Sequence, residues 1–383
     1  MNPYRPARLL AAVALAAQGL LAGCGSSVPD TVKIGVALPL SGPSAARGQD
    51  LLNGVKLAVN ELNAAGYKVA GKPVKLEVVA VDDKSDKATA VKVAQELVDQ
   101  KVIAVFGNLS SDITELTIPV YKAGNVPQLF TSSADSLTAL SDGNGFRLVA
   151  SDALQARAIA SYLSDPMKAN NVAIIYENTA FGTPINKDVS TALAAAKKTV
   201  SLSEPVDNKL ADFSAFVAKV KAAPPDAIVA VLRDNQLLPL FKQLSAAQLS
   251  QIPVIVTSAA KTSTLAAGPA DMNTVYLTSS SLDPSEFGGG TAFLNKFRAA
   301  YNAEPVWAAH YAYDGVYALS HALRLAESID ANKLREQMRT MDPSVPVTVS
   351  MRFTPGGEQR YGAIAVYQRR NGQWQPLMRS DKW

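Results

Sequence analysis

Residues 33–43 read Lys33-Ile34-Gly35-Val36-Ala37-Leu38-Pro39-Leu40-Ser41-Gly42-Pro43. Residues 32–38 have strand character, and the Pro, Ser and Gly residues behind them make a turn. The next segment places Leu52, Val55, Val59 and Leu62 on one helical face and stops at Gly66. Residues 74–81 read as a second strand, followed by a helix with Ala90, Val91, Ala94, Leu97 and Val98 on its face. Residues 102–106 form a continuous apolar run ending at Gly107, as in a strand buried on both faces. A helix over residues 113–122 and a strand at 128–130 complete the series. Strands alternating with helices imply a parallel sheet covered by helices on both sides.

The same grammar restarts after residue 150. Residues 171–176, 227–232 and 253–257 read as strands, and the alanine-rich stretch between Gly182 and Lys198 as a helix. Ala223-Pro224-Pro225-Asp226 is a turn into a strand, and nothing between residues 130 and 160 has the composition of a loose linker. Two α/β lobes joined by ordered crossings are therefore expected. Further on, residues 307–325 form a long helix, and residues 346–377 read as short strands with turns at Pro355-Gly356-Gly357 and Asn371-Gly372.

Composition narrows the function. A chain of 383 residues exceeds the roughly 250–300 that one core usually serves, in keeping with two lobes. The 37 basic and 33 acidic side chains leave a net charge of only +4, too balanced for binding nucleic acid by phosphate neutralisation. One cysteine excludes a disulfide within the chain and any zinc site built on cysteines. That cysteine has a particular setting. Arg5 and Arg8 precede an apolar run over residues 9–22, which is too short for a permanent bilayer span and ends in Leu21-Ala22-Gly23-Cys24. The pattern resembles a bacterial lipoprotein signal. It implies a signal peptide over residues 1–23, lipidation at Cys24 and a tether over residues 24–30. The protein is then expected in the periplasm on a bacterial membrane, with the outer membrane favoured by the lack of Asp after the cysteine.

Catalytic chemistry is hard to find. His310 and His321 share a helix but lie about three turns apart, too far for one metal ion, and read as polar residues at the edge of a core. There is no phosphate-binding glycine loop, nucleophile elbow or zinc-protease motif. Asp82-Asp83 at a strand end reads as a surface turn, with Asp86 as a helix cap. No catalytic residue, metal site or cofactor is expected.

Binding chemistry is better represented. Ligands of open α/β sheets sit at the carboxyl ends of strands, where helix N-termini offer free N–H groups. Gly107-Asn108-Leu109-Ser110-Ser111 occupies such a place, and Ser110 and Ser111 suit a carboxylate. Thr131-Ser132-Ser133 is a second polar turn, and Arg47 follows the first strand. Phe181-Gly182, Arg233-Asp234 and the stretch from Ser258 to Lys261 hold matching places in the second lobe.

The opening residues 33–43 resemble the leucine/isoleucine/valine-binding protein family, the type I periplasmic solute-binding proteins of ATP-driven importers. Asn53-Gly54, the stretch Ala58-Val59-Asn60-Glu61-Leu62-Asn63-Ala64-Ala65-Gly66, Val81-Asp82-Asp83, Val105-Phe106-Gly107 and Tyr313-Asp314-Gly315-Val316 continue the likeness over nearly the whole chain after the signal. The resemblance implies two Rossmann-like lobes with parallel sheets, three hinge crossings and a small-molecule solute clamped between the lobes. It divides the chain into lobe 1 at residues 31–150 and 280–343 and lobe 2 at residues 151–279 and 344–383. A monomer is expected, with an ABC permease and ATPase as partners; a ligand-sensing receptor of the same fold is the alternative.

Carried over by position, Ser111 matches the serine that holds the ligand's carboxylate, and Ser132 and Ser133 fall on the turn whose backbone meets it. Ala134 replaces a threonine, Phe181 a tyrosine, and Arg47 and Arg233 stand at or near aromatic positions. Ser258 falls near the acidic residue that receives an ammonium. Losing that acid while gaining arginines, with Lys261 as a further candidate, favours an organic acid over an amino acid, because a buried cation needs a counter-charge. Asp234 keeps the amino-acid reading open, and a solvated rim is the alternative for both arginines.

Overall fold

The structure is a computed structural model that describes residues 28–380 apart from 262 and 267; the expected signal segment and Cys24 lie outside the described residues. In the first lobe β1 (Thr31–Leu38), β4 (Lys75–Asp82), β5 (Val105–Phe106), β6 (Gln128–Phe130) and β7 (Gly145–Arg147) alternate with α1 (Ala45–Ala64), α2 (Lys87–Asp99), α3 (Ser111–Ala123) and α4 (Ser136–Ser141). A small hairpin of β2 (Lys68–Val69) and β3 (Lys72–Pro73) precedes β4. The other five strands form a parallel sheet in the order β4-β1-β5-β6-β7. Of the apolar run 102–106 the strand proper is Val105–Phe106, while Ile103 N–H and the Ala104 carbonyl also bond to β1 at 2.9 Å.

The second lobe runs α5 (Asp152–Ser164), β8 (Asn171–Glu177), α6 (Gly182–Ala195), β9 (Thr199–Val206), α7 (Ser214–Ala222), β10 (Ala227–Val231), α8 (Asp234–Ala246), β11 (Val254–Val256), α9 (Ser263–Ala266) and β12 (Val275–Ser279). The chain then returns to the first lobe through α10 (Gly290–Tyr301), α11 (Ala309–Ala326), α12 (Ala331–Thr340) and a hairpin of β13 (Ser344–Val345) and β14 (Val349–Ser350). It ends in β15 (Ala365–Arg370) and β16 (Gln373–Arg379), antiparallel strands on the edge of a sheet ordered β16-β15-β12-β11-β10-β8-β9.

Why α1 and α11 pack so closely is visible at Gly54, where an added Cβ would lie 2.1 Å from the carbonyl oxygen of Ala309. Only a residue without a side chain permits that approach. Asp50, one turn earlier, accepts hydrogen bonds from the backbone N–H groups of Val306, Trp307, Ala308 and Ala309 at 2.6–3.0 Å. A side chain from α1 thus satisfies the start of α11, whose own leading residues supply no cap.

The three crossings lie side by side: Ala150 N–H donates to the carbonyl of Ser280 at 3.1 Å, and Ala150 packs with Ile364. The third crossing falls later than the division at residue 343. Val345, Val347, Met351 and Phe353 belong to the first lobe's core, with Phe353 edge-on to Phe146 at 5.2 Å. Two contacts hold this segment there. The carboxylate of Asp314 accepts from Val347 N–H and from the N–H and hydroxyl of Thr348, and Glu358 pairs with the fully buried Arg147 at 2.9 Å. The chain leaves the first lobe only near residues 359–364.

Candidate functional site

Each sheet changes its winding direction once. The chain goes from β1 to β4 on one side and then to β5 on the other; in the second lobe it goes from β8 to β9 and then to β10. Loops at such switch points diverge and leave a crevice at the carboxyl end of the sheet. The two crevices face each other and enclose a cavity of about 250 Å³.

The first lobe supplies Arg47 from the start of α1, Ser110 and Ser111 at the start of α3, and Thr131 and Ser133 after β6. Gly107 makes the turn after β5 possible: its φ is +142°, and a Cβ there would lie 2.0 Å from the carbonyl oxygen of Ala37. Ser110 is the N-cap residue of α3 by backbone position, yet its side chain makes no capping bond, which leaves its hydroxyl to the cavity. Ser111 is nearly buried and accepts from Ala134 N–H at 3.3 Å.

Ser132 does not line the cavity. Side chains alternate along the extended turn, so Thr131 and Ser133 face inward while the Ser132 hydroxyl bonds Thr114 at 2.7 Å. Its carbonyl, with that of Ala134, is taken by the guanidinium of Arg147 at 2.6 and 2.8 Å. Arg147 thereby fixes the turn from behind.

The second lobe brings Phe181, Arg233, Asp234 and Ser258 to the same cavity. Ser258 is committed within the protein, donating to Gln155 at 2.9 Å and accepting from Ser280 N–H at 2.8 Å. Lys261 is turned away from the cleft, beside the hydroxyl of Tyr367 at 3.4 Å and the carboxylate of Asp283 at 3.9 Å. The two arginines differ sharply. Arg233 is neutralised by Asp112 at 3.0 Å and Glu177 at 3.3 Å. Arg47 forms no ion pair among the described residues, its Nε has no hydrogen-bond partner, and its guanidinium lies 4.1 Å from the ring centre of Trp307. Burial lowers the Arg47 pKa to about 10, with Asp234 partly opposing that effect.

Trp307 is the main residue that the sequence reading missed. It lines the cavity beside Val306, with its indole N–H buried and unpartnered, and Asp50 holds its backbone in place. Its sequence signal was weak, because a Trp at the start of an apolar helix reads as core. Asp82 and Asp83 are structural supports. Asp82 accepts from Leu40 N–H and the Ser41 hydroxyl, and Asp83 from the side chain of Asn108. His310 lies inside the core rather than at its edge, among Phe287, Phe293 and Tyr311, and burial lowers its pKa to about 3. No group of three or more metal-ligating side chains occurs among the described residues.

Two doubly wound lobes closing a cavity of mixed polar and apolar lining between their switch-point loops define a bilobed solute-binding protein. The chain belongs to the periplasmic binding protein family, whose sequence pattern matches residues 31–373. It is 28% identical over 367 residues to a Leu/Ile/Val-binding protein homolog of Brucella abortus, covering 92% of this chain and 94% of that one. It also resembles the branched-chain amino acid transporter substrate-binding protein of Streptococcus pneumoniae, solved with isoleucine. That match has a TM-score of 0.80 and 26% identity, covering 91% of this chain and 99% of the other. A solute-binding protein of an ABC transporter from Rhodopseudomonas palustris, solved with 3,4-dihydroxybenzoic acid, shares the fold with a TM-score of 0.79. Its identity is 20%, with 92% of this chain and 97% of the other covered. The family and fold are those of solute-binding proteins, not enzymes.

Proposed function

We propose that this protein captures a small carboxylate-bearing organic acid in the interlobe cleft and delivers it to an ABC importer from a membrane anchor at lipidated Cys24. The observation that carries the ligand class is Arg47, a half-buried cation on the face of Trp307, with its Nε shielded from solvent and no carboxylate paired to it. An anion bound beside it would supply the counter-charge that no paired carboxylate provides. The free hydroxyl of Ser110 and the N-terminus of α3 offer a second polar seat at the cavity wall. Phe181 and Trp307 supply apolar surface for the body of the solute.

Asp234 favours a second reading. It lines the same cavity and could receive the ammonium of an α-amino acid, in line with the isoleucine held by the Streptococcus pneumoniae relative. Calorimetric titration separates the two, using isoleucine and leucine against benzoate, 3,4-dihydroxybenzoate and aliphatic dicarboxylates. The expected result is binding of an acid that lacks an amine, weakened by about 10- to 100-fold in Arg47→Ala, the usual range for a charge-assisted hydrogen bond. Tight binding of isoleucine with unchanged affinity in Arg47→Ala would overturn the organic-acid reading.

A further inference from the structure

The pair between Asp112 and Arg233 joins residues of opposite lobes. Asp112 lies in the first turn of α3 in the first lobe, and Arg233 immediately precedes α8 in the second. Their side chains meet at 3.0 Å, far in sequence and away from the three crossings. Glu177, at the end of β8, is fully buried and prepares this contact. One of its carboxylate oxygens accepts from Arg233 N–H at 3.2 Å, and the other faces Arg233 Nε at 3.3 Å. The guanidinium is therefore held by one edge on its own lobe, with Nη2 left to reach across. A second cavity of about 530 Å³ lies outside the pair, lined by Asp112 together with Lys87, Glu115, Asn178 and Asp207. Arg233 lines the inner cavity and Asp112 the outer one, so the pair stands between them.

We propose that Asp112 and Arg233 form an ionic latch that favours lobe closure without solute and separates the inner cavity from the outer groove. The latch needs no ligand contact, since the guanidinium lies between the carboxylates of Asp112 and Glu177. It is independent of which solute binds. Opening the lobes strips Arg233 of Asp112 but leaves it paired with Glu177, so the open state retains one counter-charge for the guanidinium. The closed state adds the second, and the latch adds a modest bias rather than locking the protein shut. Asp112 remains partly accessible, so salt weakens the latch: the screening length falls from about 30 Å at 0.01 M to about 3 Å at 1 M.

The test uses the ligand-free protein with spin labels at Lys92→Cys and Lys221→Cys, exposed sites on opposite lobes, and Cys24→Ser to prevent a third label. Double electron–electron resonance then reads the distribution of distances between lobes. The expected result is a closed population that shrinks as NaCl rises from 0.01 to 1 M. Asp112→Asn should lower the closed-to-open ratio by about threefold or more and remove most of the salt response. Asp112→Lys should open the lobes further, while Asp112→Glu retains the closed population. Unchanged distributions in the unmutated, Asn and Lys proteins across the salt range would overturn the latch. The salt series on the unmutated side chains stands even if a variant fails to fold. No solute enters the experiment, so an error in the proposed ligand class leaves its result unaffected.

Discussion

At the scale of single residues, the buried charges are what distinguish this chain. Asp152 is fully buried at the first position of α5, and neither carboxylate oxygen has a partner at full hydrogen-bonding geometry. Burial raises its pKa from 3.8 to about 7, opposed in part by Ser133 and by the positive charge of Arg147. The folded state therefore holds this proton to a higher pH than the unfolded chain does. The stability it contributes is fully present below pH 3.8 and is lost as the pH rises through about 7. Asp152→Asn should melt above the unmutated protein at pH 8, by about 2–4 °C for each ~1 kcal/mol relieved, with the gap closing toward pH 4. Thermal melts across that range check the sign, and a gap that widens on acidification would contradict it. Arg47 is the functional counterpart, a half-buried charge whose partner is expected to be the solute. Its place after the first strand was readable from the chain; its seat on Trp307 was not, because the two residues are 260 positions apart and meet only through folding.

At the scale of elements, α1 organises the first lobe. Its apolar face was legible from the spacing of Leu52, Val55, Val59 and Leu62, all of which are buried. The polar role of Asp50 on the same helix was not legible, since an acid within a helix reads as a solvated position. Removing it in Asp50→Ala would leave four N–H groups at the start of α11 without their acceptor. The expected cost is about 3 kcal/mol in urea denaturation, typical of a broken buried charge–dipole contact. Weaker solute binding should accompany it, because Trp307 sits in that turn. A loss below about 0.5 kcal/mol, the range of an ordinary surface substitution, would mean that water replaces the carboxylate. Ser132 shows the limit of loop reading in another way. A shift of one residue along an extended turn exchanges the inward and outward sides, and only the hydrogen bonds to Thr114 and Arg147 reveal which side Ser132 takes.

At the scale of the whole molecule, the lipid anchor proposed at Cys24 has a direct test. Cys24→Ser should move the protein from the membrane to the soluble fraction of its native host, and equal membrane association in both forms would count against the anchor. The alternation of strands and helices, two α/β lobes and several polar strand-end turns were determined by sequence alone, because apolar periodicity and turn residues act over a few neighbours. The order of strands in each sheet depends on contacts far apart in the chain. So does the third crossing near residues 359–364: Asp314 and Arg147 capture a segment whose local sequence gives no sign of the lobe it joins. The difference between the two cleft arginines is likewise tertiary. Both look alike in sequence, but folding pairs Arg233 with Glu177 and Asp112, while Arg47 is left on an aromatic face with no carboxylate paired to it. Charge balance is decided by what lies within a few ångströms in space, and that distance is set only when the lobes are assembled.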